Sequence, residues 1–174
     1  MENRSRKGKM KHTISVLVEN QFGVLSRVSG LFSARGFNID SLAVGETEDP
    51  TISRMTIVVD GDERTLEQVK KHLNRLIDVI KVQDIAQEDL LEREMVLARI
   101  GFNHKNRAEI LEAVNAFQGK VVDASQNTLT IEVTGDQAKV RSVFELLKPY
   151  GVLEVVRSGR IAFSRKSRLT LKEK

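Results

Sequence analysis

Two heptads, TIVVDGD (Thr56 to Asp62) and TIEVTGD (Thr130 to Asp136), share five of seven residues at an offset of 74. Each ends an alternating apolar stretch and opens an amphipathic one, so the match falls at the same joint in the same kind of element. The stretches around them repeat too. In the first half, HTISVLVE places Ile14, Val16 and Val18 on one strand face. A helix follows, with Val24, Leu25, Val28, Leu31 and Phe32 at helical spacing and Gly36 as its stop. FNIDSLAVGET and TISRMTIVVD read as a hairpin across the turn EDP. GDERTLEQVKKHLNRLI is a second helix, N-capped by Asp62, with Leu66, Val69, Leu73 and Leu76 inward, and DVIKVQDI is a fourth strand.

The second half runs in the same order. REMVLARIGFN is a strand, and KNRAEILEAVNAF is a helix with Ile110, Leu111, Val114 and Phe117 on one side. KVVDASQN and TLTIEVTG are strands, DQAKVRSVFELLKPY is a helix with Val140, Val143, Phe144 and Leu147 inward, and VLEVVRSG closes the unit. Early elements align at an offset near 82, with Gly36 close to Gly119, and a shorter central hairpin in the second half absorbs the difference. Such a repeat means two copies of one supersecondary unit. The expected fold class is α+β: two tandem ferredoxin-like βαββαβ domains, each an antiparallel sheet with two helices on one face. The boundaries are a basic, disordered tail over 1–10, a first domain over 11–86, a linker over 87–93 (within QEDLLERE), a second domain over 94–164 and a basic tail over 165–174. Exposed edge strands and the open sheet face then predict a symmetric dimer.

Charge narrows the function. Residues 1–12 carry five Lys/Arg against one Glu, and residues 157–174 carry seven against one. The body between them holds 16 basic and 22 acidic residues, so the formal net charge of +4 comes from the ends. A nucleic-acid binder needs its basic face on the folded body. RNA-recognition domains share this strand order but stack bases on aromatics of the two central strands, and here TISVLVE and SRMTIVV have none. No nucleic-acid partner is expected. No apolar run approaches a membrane span, and the basic N-terminus lacks an apolar core, so neither membrane nor secretion is expected. The absence of cysteine excludes disulfides, thiolate metal sites and a Cys nucleophile, and fits the cytoplasm.

Candidate chemistry concentrates at the join ENQFGVL, where the first strand hands over to the first helix. Gly23 at a helix N-terminus lets backbone amides reach a small anion such as a carboxylate. It would equally supply an unusual backbone angle at the turn. The second-half counterpart, FNHKNRAEIL, turns without a glycine, which favours the binding role. Asn38, opening the second strand, can donate to a carboxylate and accept from an ammonium, or can satisfy turn backbone. His12, His72 and His104 show no metal-ligand spacing and read as solvated. ETEDP reads as a hairpin tip. Neither a catalytic constellation nor a phosphate loop is recognisable.

The run ISVLVENQFGVLSRVSGLFSARGFNIDSL, with DPTISRMTIVVDGDE, VIKV, EREMVLARI and LEVVRSGRIAFSR, resembles the small regulatory subunit of acetolactate synthase (acetohydroxyacid synthase). The resemblance implies that the first half is an ACT domain, binding valine or a related branched-chain amino acid at a homodimer interface. It places the effector-binding residues at Asn20, Gly23, Val24, Leu25, Asn38 and Ile39. It implies a large catalytic subunit as partner, carrying thiamine diphosphate, FAD and magnesium, with no cofactor or catalytic residue on this chain. It also implies feedback inhibition by the effector and stimulation of the large subunit, with the second module serving that partner. Many ACT domains have proline where this chain has Phe22. The alternative is a stand-alone amino-acid sensor acting on another partner.

Overall fold

The alternating segments pair as their apolar faces dictate. The structure, a computed structural model, describes residues 10–85 and 89–166. In the first unit, β1 (Met10–Glu19), α1 (Val24–Ala34), β2 (Ile39–Glu46), β3 (Ile52–Gly61), α2 (Glu63–Leu73) and β4 (Val79–Asp84) follow in turn. The sheet order is β2-β3-β1-β4, all antiparallel. Ile14, Val16 and Val18 of β1 and Met55, Ile57 and Val59 of β3 meet Val24, Val28 and Phe32 of α1 and Leu66, Val69 and Leu73 of α2 in one core. Burying that many branched and aromatic side chains is the main favourable term for the unit, each full burial contributing about 1.5–3 kcal/mol. Leu25, expected inward, is 44% exposed.

The second unit repeats the plan with β5 (Leu90–Gly101), α3 (Arg107–Ala116), β6 (Lys120–Ala124), β7 (Thr128–Gly135), α4 (Gln137–Leu147) and β8 (Val152–Arg157). Its order is β6-β7-β5-β8, and a further strand not read in the sequence, β9 (Ile161–Ser164), also pairs with β5. Ala98, Ile100, Ile110, Val114, Leu129, Ile131, Val133, Val143 and Leu147 form its core. The tandem βαββαβ architecture is thus as the sequence implies.

The repeat extends to irregularities. Register shifts fall between Leu17 and Val18 on β1 and between Arg99 and Ile100 on β5, and between Ile39 and Ser41 on β2 and between Val121 and Asp123 on β6. All four positions correspond at an offset of 82. The repeated Gly-Asp also has one cause: Asp62 and Asp136 cap α2 and α4 by accepting from Thr65 N (2.7 Å) and Lys139 N (2.8 Å). Both first helices end in a Schellman turn, with Phe37 N donating to Phe32 O and Gly119 N donating to Val114 O. The left-handed residue of that turn is Gly36 (φ 71) in one and Gln118 (φ 54) in the other, so Gln118, not Gly119, is the counterpart of Gly36.

Three further readings change. Leu90–Arg93 of the expected linker belong to β5, whereas residues 86–88 lie outside the described residues. By contacts the first unit takes the described residues up to Leu91 and from Ala162 onward, and the second takes Glu92–Ile161, so the chain passes between units twice. His12 is not solvated: it lies in β1, 3% exposed, with Nε2 at 3.2 Å from Gly61 O, because β1 begins at Met10 rather than after a tail. Apart from Met10, Arg165 and Lys166, the basic tails lie outside the described residues.

Candidate effector site

The β1–α1 turn is built for a helix without a side-chain cap. Gly23 occupies the N-cap of α1 at φ 82, and no side chain caps that end. Among the described residues, the amides of Gly23, Leu25 and Ser26 have no hydrogen-bond acceptor, and Val24 N reaches Gln21 O only at 3.4 Å. Unpaired amides at a helix N-terminus carry partial positive charge, which suits a carboxylate. In the second unit side chains pair the turn ahead of α3, although Ala108 N and Glu109 N of that helix likewise have no hydrogen-bond acceptor among the described residues. Asn103 Oδ1 accepts from Lys105 N (2.9 Å) and Asn106 N (3.1 Å), and Asn106 Oδ1 accepts from Asn103 N (2.7 Å). Its turn therefore avoids glycine by a different backbone, and in the first unit the left-handed angle does call for one. Gly23 thus answers both to the turn and to open amides.

Residues the sequence did not single out surround this turn. Arg27 Nε pairs with the buried carboxylate of Asp78 at 2.7 Å. Its Nη1 lies 3.2 Å from where a Cβ on Gly23 would stand. Asn20 Nδ2 donates to Glu46 Oε1 (3.1 Å) and Pro50 O (2.9 Å), tying the turn to the β2–β3 hairpin. Hairpin length and the α2–β4 connection bring Glu46 and Asp78 here; only Arg27 in the first turn of α1 had a local signal, as the one charged side chain of that helix. Thr51 holds the Asp49 carboxyl in the same hairpin below its ordinary value, through its hydroxyl and then its amide.

The six residues implied by the resemblance separate into groups. Asn20, Gly23, Val24 and Leu25 lie together on the turn, but the Val24 side chain is in the core, leaving only its backbone to the turn. Leu25 projects into solvent, as does Phe22 next to it. Asn38 and Ile39 lie at the other end of the sheet. Lys11 near the start of β1 bridges to Asp40 (3.1 Å), Ile39 pairs with Val59, and Val59 pairs with His12. Gly23 lies beyond Glu19, at the far end of β1. Asn38 is exposed, its Nδ2 donating to Asp40 Oδ1 (3.0 Å), and Ile39 packs on the core. One chain therefore does not bring Gly23 and Asn38 together. β2, which Asn38 precedes, is one of the two edge strands of the sheet, β4 being the other.

A tandem pair of ferredoxin-like units, the first opening its leading helix on a left-handed glycine, defines a two-module α+β chain with a candidate small-anion site at one turn. Comparison with known proteins makes this specific. Residues 14–81 match the family model of the AHAS small subunit-like ACT domain, and residues 93–166 match that of the small subunit of acetolactate synthase. The chain is 52% identical to a probable acetolactate synthase small subunit of Archaeoglobus fulgidus, over 90% of this chain and 98% of that one. It is 49% identical to the acetolactate synthase small subunit of Mycolicibacterium smegmatis, over 91% and 93% of the two chains. The crystal structure of the acetolactate synthase small subunit of Thermotoga maritima superposes with a TM-score of 0.82 at 40% identity, covering 91% of this chain and 99% of that one. The chain belongs to the acetolactate synthase small-subunit family, and its part is regulatory rather than catalytic. No helix among the described residues is long and apolar enough to cross a membrane.

Proposed function

We propose that this chain binds valine, or a related branched-chain amino acid, at a site shared between the first units of two copies, and passes that occupancy to a large catalytic acetolactate synthase subunit. The separation of Gly23 from Asn38 carries this reading. An amino acid spans only a few ångström, so the two residues can serve one ligand only if a second copy supplies Asn38. The carboxylate goes to the open amides of the Gly23 turn, with Asn20 beside it. Asn38 of the other copy addresses the ammonium or carboxylate, and Leu25 lines the apolar side. Pocket volume decides among the branched side chains, where a methylene is worth about 1–3 kcal/mol.

The second unit, whose counterpart turn has no left-handed glycine and pairs its Asn103, Lys105 and Asn106 amides with the Asn103 and Asn106 side chains, serves the large subunit. Binding that favours the active state of the catalytic subunit stimulates it, and the effector shifts the balance back. Thiamine diphosphate, FAD and magnesium belong to that subunit, and the assembly works in the cytoplasm. Calorimetric titration of the full chain with valine, leucine and isoleucine, followed by mixing with separated large subunit, tests the proposal. It expects saturable binding of at least one of the three, no synthase activity from the chain alone, stimulation on mixing and inhibition by the bound amino acid. Absence of binding by all three, or of any stoichiometric complex with the large subunit, refutes it; the latter result would favour a stand-alone sensor.

A further inference from the structure

We infer that Arg27, held in place by Asp78, is the cation that meets the effector's carboxylate at the Gly23 turn. The inference rests on the effector reading above and adds to it a residue and a charge. Gly23, Arg27 and Asp78 all lie in the first unit. Arg27 Nε donates to Asp78 Oδ2 at 2.7 Å, and the Asp78 side chain is 9% exposed against 47% for Arg27. Asp78 is itself tied to the sheet, since Glu19 N donates to its carbonyl at 2.9 Å. Only Nε is spent in this pair. Among the described residues Nη1 and Nη2 have no acceptor, and Nη1 lies 3.2 Å from where a Cβ on Gly23 would stand. Arg157, by contrast, spends both Nε and Nη2 on Glu94. Arg27 therefore holds an unspent edge of a planar guanidinium over the glycine, and two parallel N–H groups on such an edge match a carboxylate.

The repeat shows that the fold does not require this pair. Val28 and Phe32 of α1 correspond to Ile110 and Val114 of α3 at the offset of 82. The same offset sets Arg27 against Glu109. The bond from Glu19 N to Asp78 O recurs as the bond from Gly101 N to Gly151 O (3.2 Å), which sets Asp78 against Gly151. The second unit thus makes the same backbone connection without either charge.

The difference matters because a helix N-terminus favours negative charge. α3 also opens on a cation, Arg107, but that one lies over the Phe102 ring, and Glu109 in the same turn supplies the favoured carboxylate. α1 has no acidic residue in its first turn, and its one charged side chain is the cation Arg27. Departures from local preference collect at functional sites. An anion seated between the α1 amides and the Nη groups would complete the charge pattern that α3 carries in its own sequence. Asp78 is then a positioning residue. Its buried carboxylate must keep a partner, so the guanidinium stays over Gly23 whether or not a ligand is present. Arg27 reads the carboxylate and none of the side chain, so it distinguishes an acid from its amide but not valine from leucine.

The test uses the full chain with Arg27→Met, which keeps the apolar stem and removes the charge. That change leaves Asp78 unpaired, so Arg27→Met is also combined with Asp78→Asn, and the double variant is read if the single one does not fold. Each protein is titrated calorimetrically with valine and with valinamide, which keeps the ammonium and the side chain but lacks the carboxylate charge. Valinamide too weak to titrate directly is measured by competition with valine. In the variant, valine binding should weaken at least about tenfold and valinamide binding should stay within about threefold, so the preference for the acid falls at least about threefold. Leucine and isoleucine, where the parent binds them, should lose the same factor as valine. Equal weakening of valine and valinamide would show that Arg27 only holds the turn, and a preference that falls by less than about threefold overturns the inference. A parent that binds none of the three amino acids fails the effector reading and this inference with it. A parent that binds them while the preference stays unmoved in the variant fails this inference alone.

Discussion

Two binding-defective variants of this chain should repair each other. Gly23→Asp places a carboxylate beside the open amides of α1, and Asn38→Ala removes the amide at the start of β2. In one chain these positions are far apart. Asn38 is level with Lys11, and Gly23 lies past Glu19, so about eight strand steps of roughly 3.3 Å put them about 25 Å apart. If each site takes Gly23 from one copy and Asn38 from the other, a hybrid dimer has one doubly defective site and one intact site. Random exchange of an equal mixture makes half of the dimers hybrid, so about one quarter of all sites regain parental affinity. Each variant alone should show none. The assay is calorimetric titration of valine into each variant, then into the mixture after subunit exchange, with the number of high-affinity sites as the readout. Recovery near one quarter supports the shared site. No recovery, with hybrids demonstrated by mass spectrometry, means that one chain supplies the whole site and refutes the reasoning.

Further expectations concern single residues. Gly23→Ala should destabilise the chain by about 1–2 kcal/mol, since φ 82 strains any side chain, whereas aspartate tolerates that region better and is favoured near a helix N-terminus. Thermal denaturation should therefore rank Gly23→Asp as no less stable than Gly23→Ala, while calorimetry ranks it as the weaker binder; the same order in both assays would mean that Gly23 serves only the turn. Asn38→Ala should weaken valine binding by about 1–3 kcal/mol through a lost charge-assisted hydrogen bond, and unchanged affinity would remove Asn38 from the site. Gln118→Gly should stabilise the second unit by about 1 kcal/mol by relieving a left-handed angle, read as a raised denaturation midpoint. Acid should destabilise the fold from about pH 4 downward. Thr65, through its hydroxyl and then its amide, lowers the Asp62 carboxyl, and Lys70, by hydrogen bond and then charge, lowers Glu67. Carboxyls with depressed folded values stabilise above their unfolded values and lose that contribution as pH falls through the folded ones; equal denaturation midpoints at pH 5 and pH 3 would contradict it.

Apolar periodicity, the repeated heptad and the caps Asp62 and Asp136 determined the element types, their order and the two-unit plan. Each is local: a side chain facing a core recurs every second or every three to four residues, and a cap acts within one turn. The same locality made Gly23 visible at its turn, and the run through Asp40 carried the family resemblance. Four things were decided only in three dimensions. His12 was classed as solvated although it opens the strand HTISVLVE with the parity of Ile14 and Val16, because only the fold shows that β1 extends back to Met10 and pairs His12 with Val59. Gln118 took the place of Gly36 because a well-packed Schellman turn tolerates a strained angle that composition does not announce. Arg27, Asp78 and Glu46 gathered at the β1–α1 turn because connections of different length return to the same end of the sheet. The distance between Gly23 and Asn38 also had to come from the fold. They lie fifteen residues apart in sequence, with α1 between them. α1 carries the chain back along β1 before β2 begins, so closeness in sequence became opposite ends of a sheet. Periodicity states which way a side chain faces, whereas the distance between two elements depends on how the whole chain closes on its core.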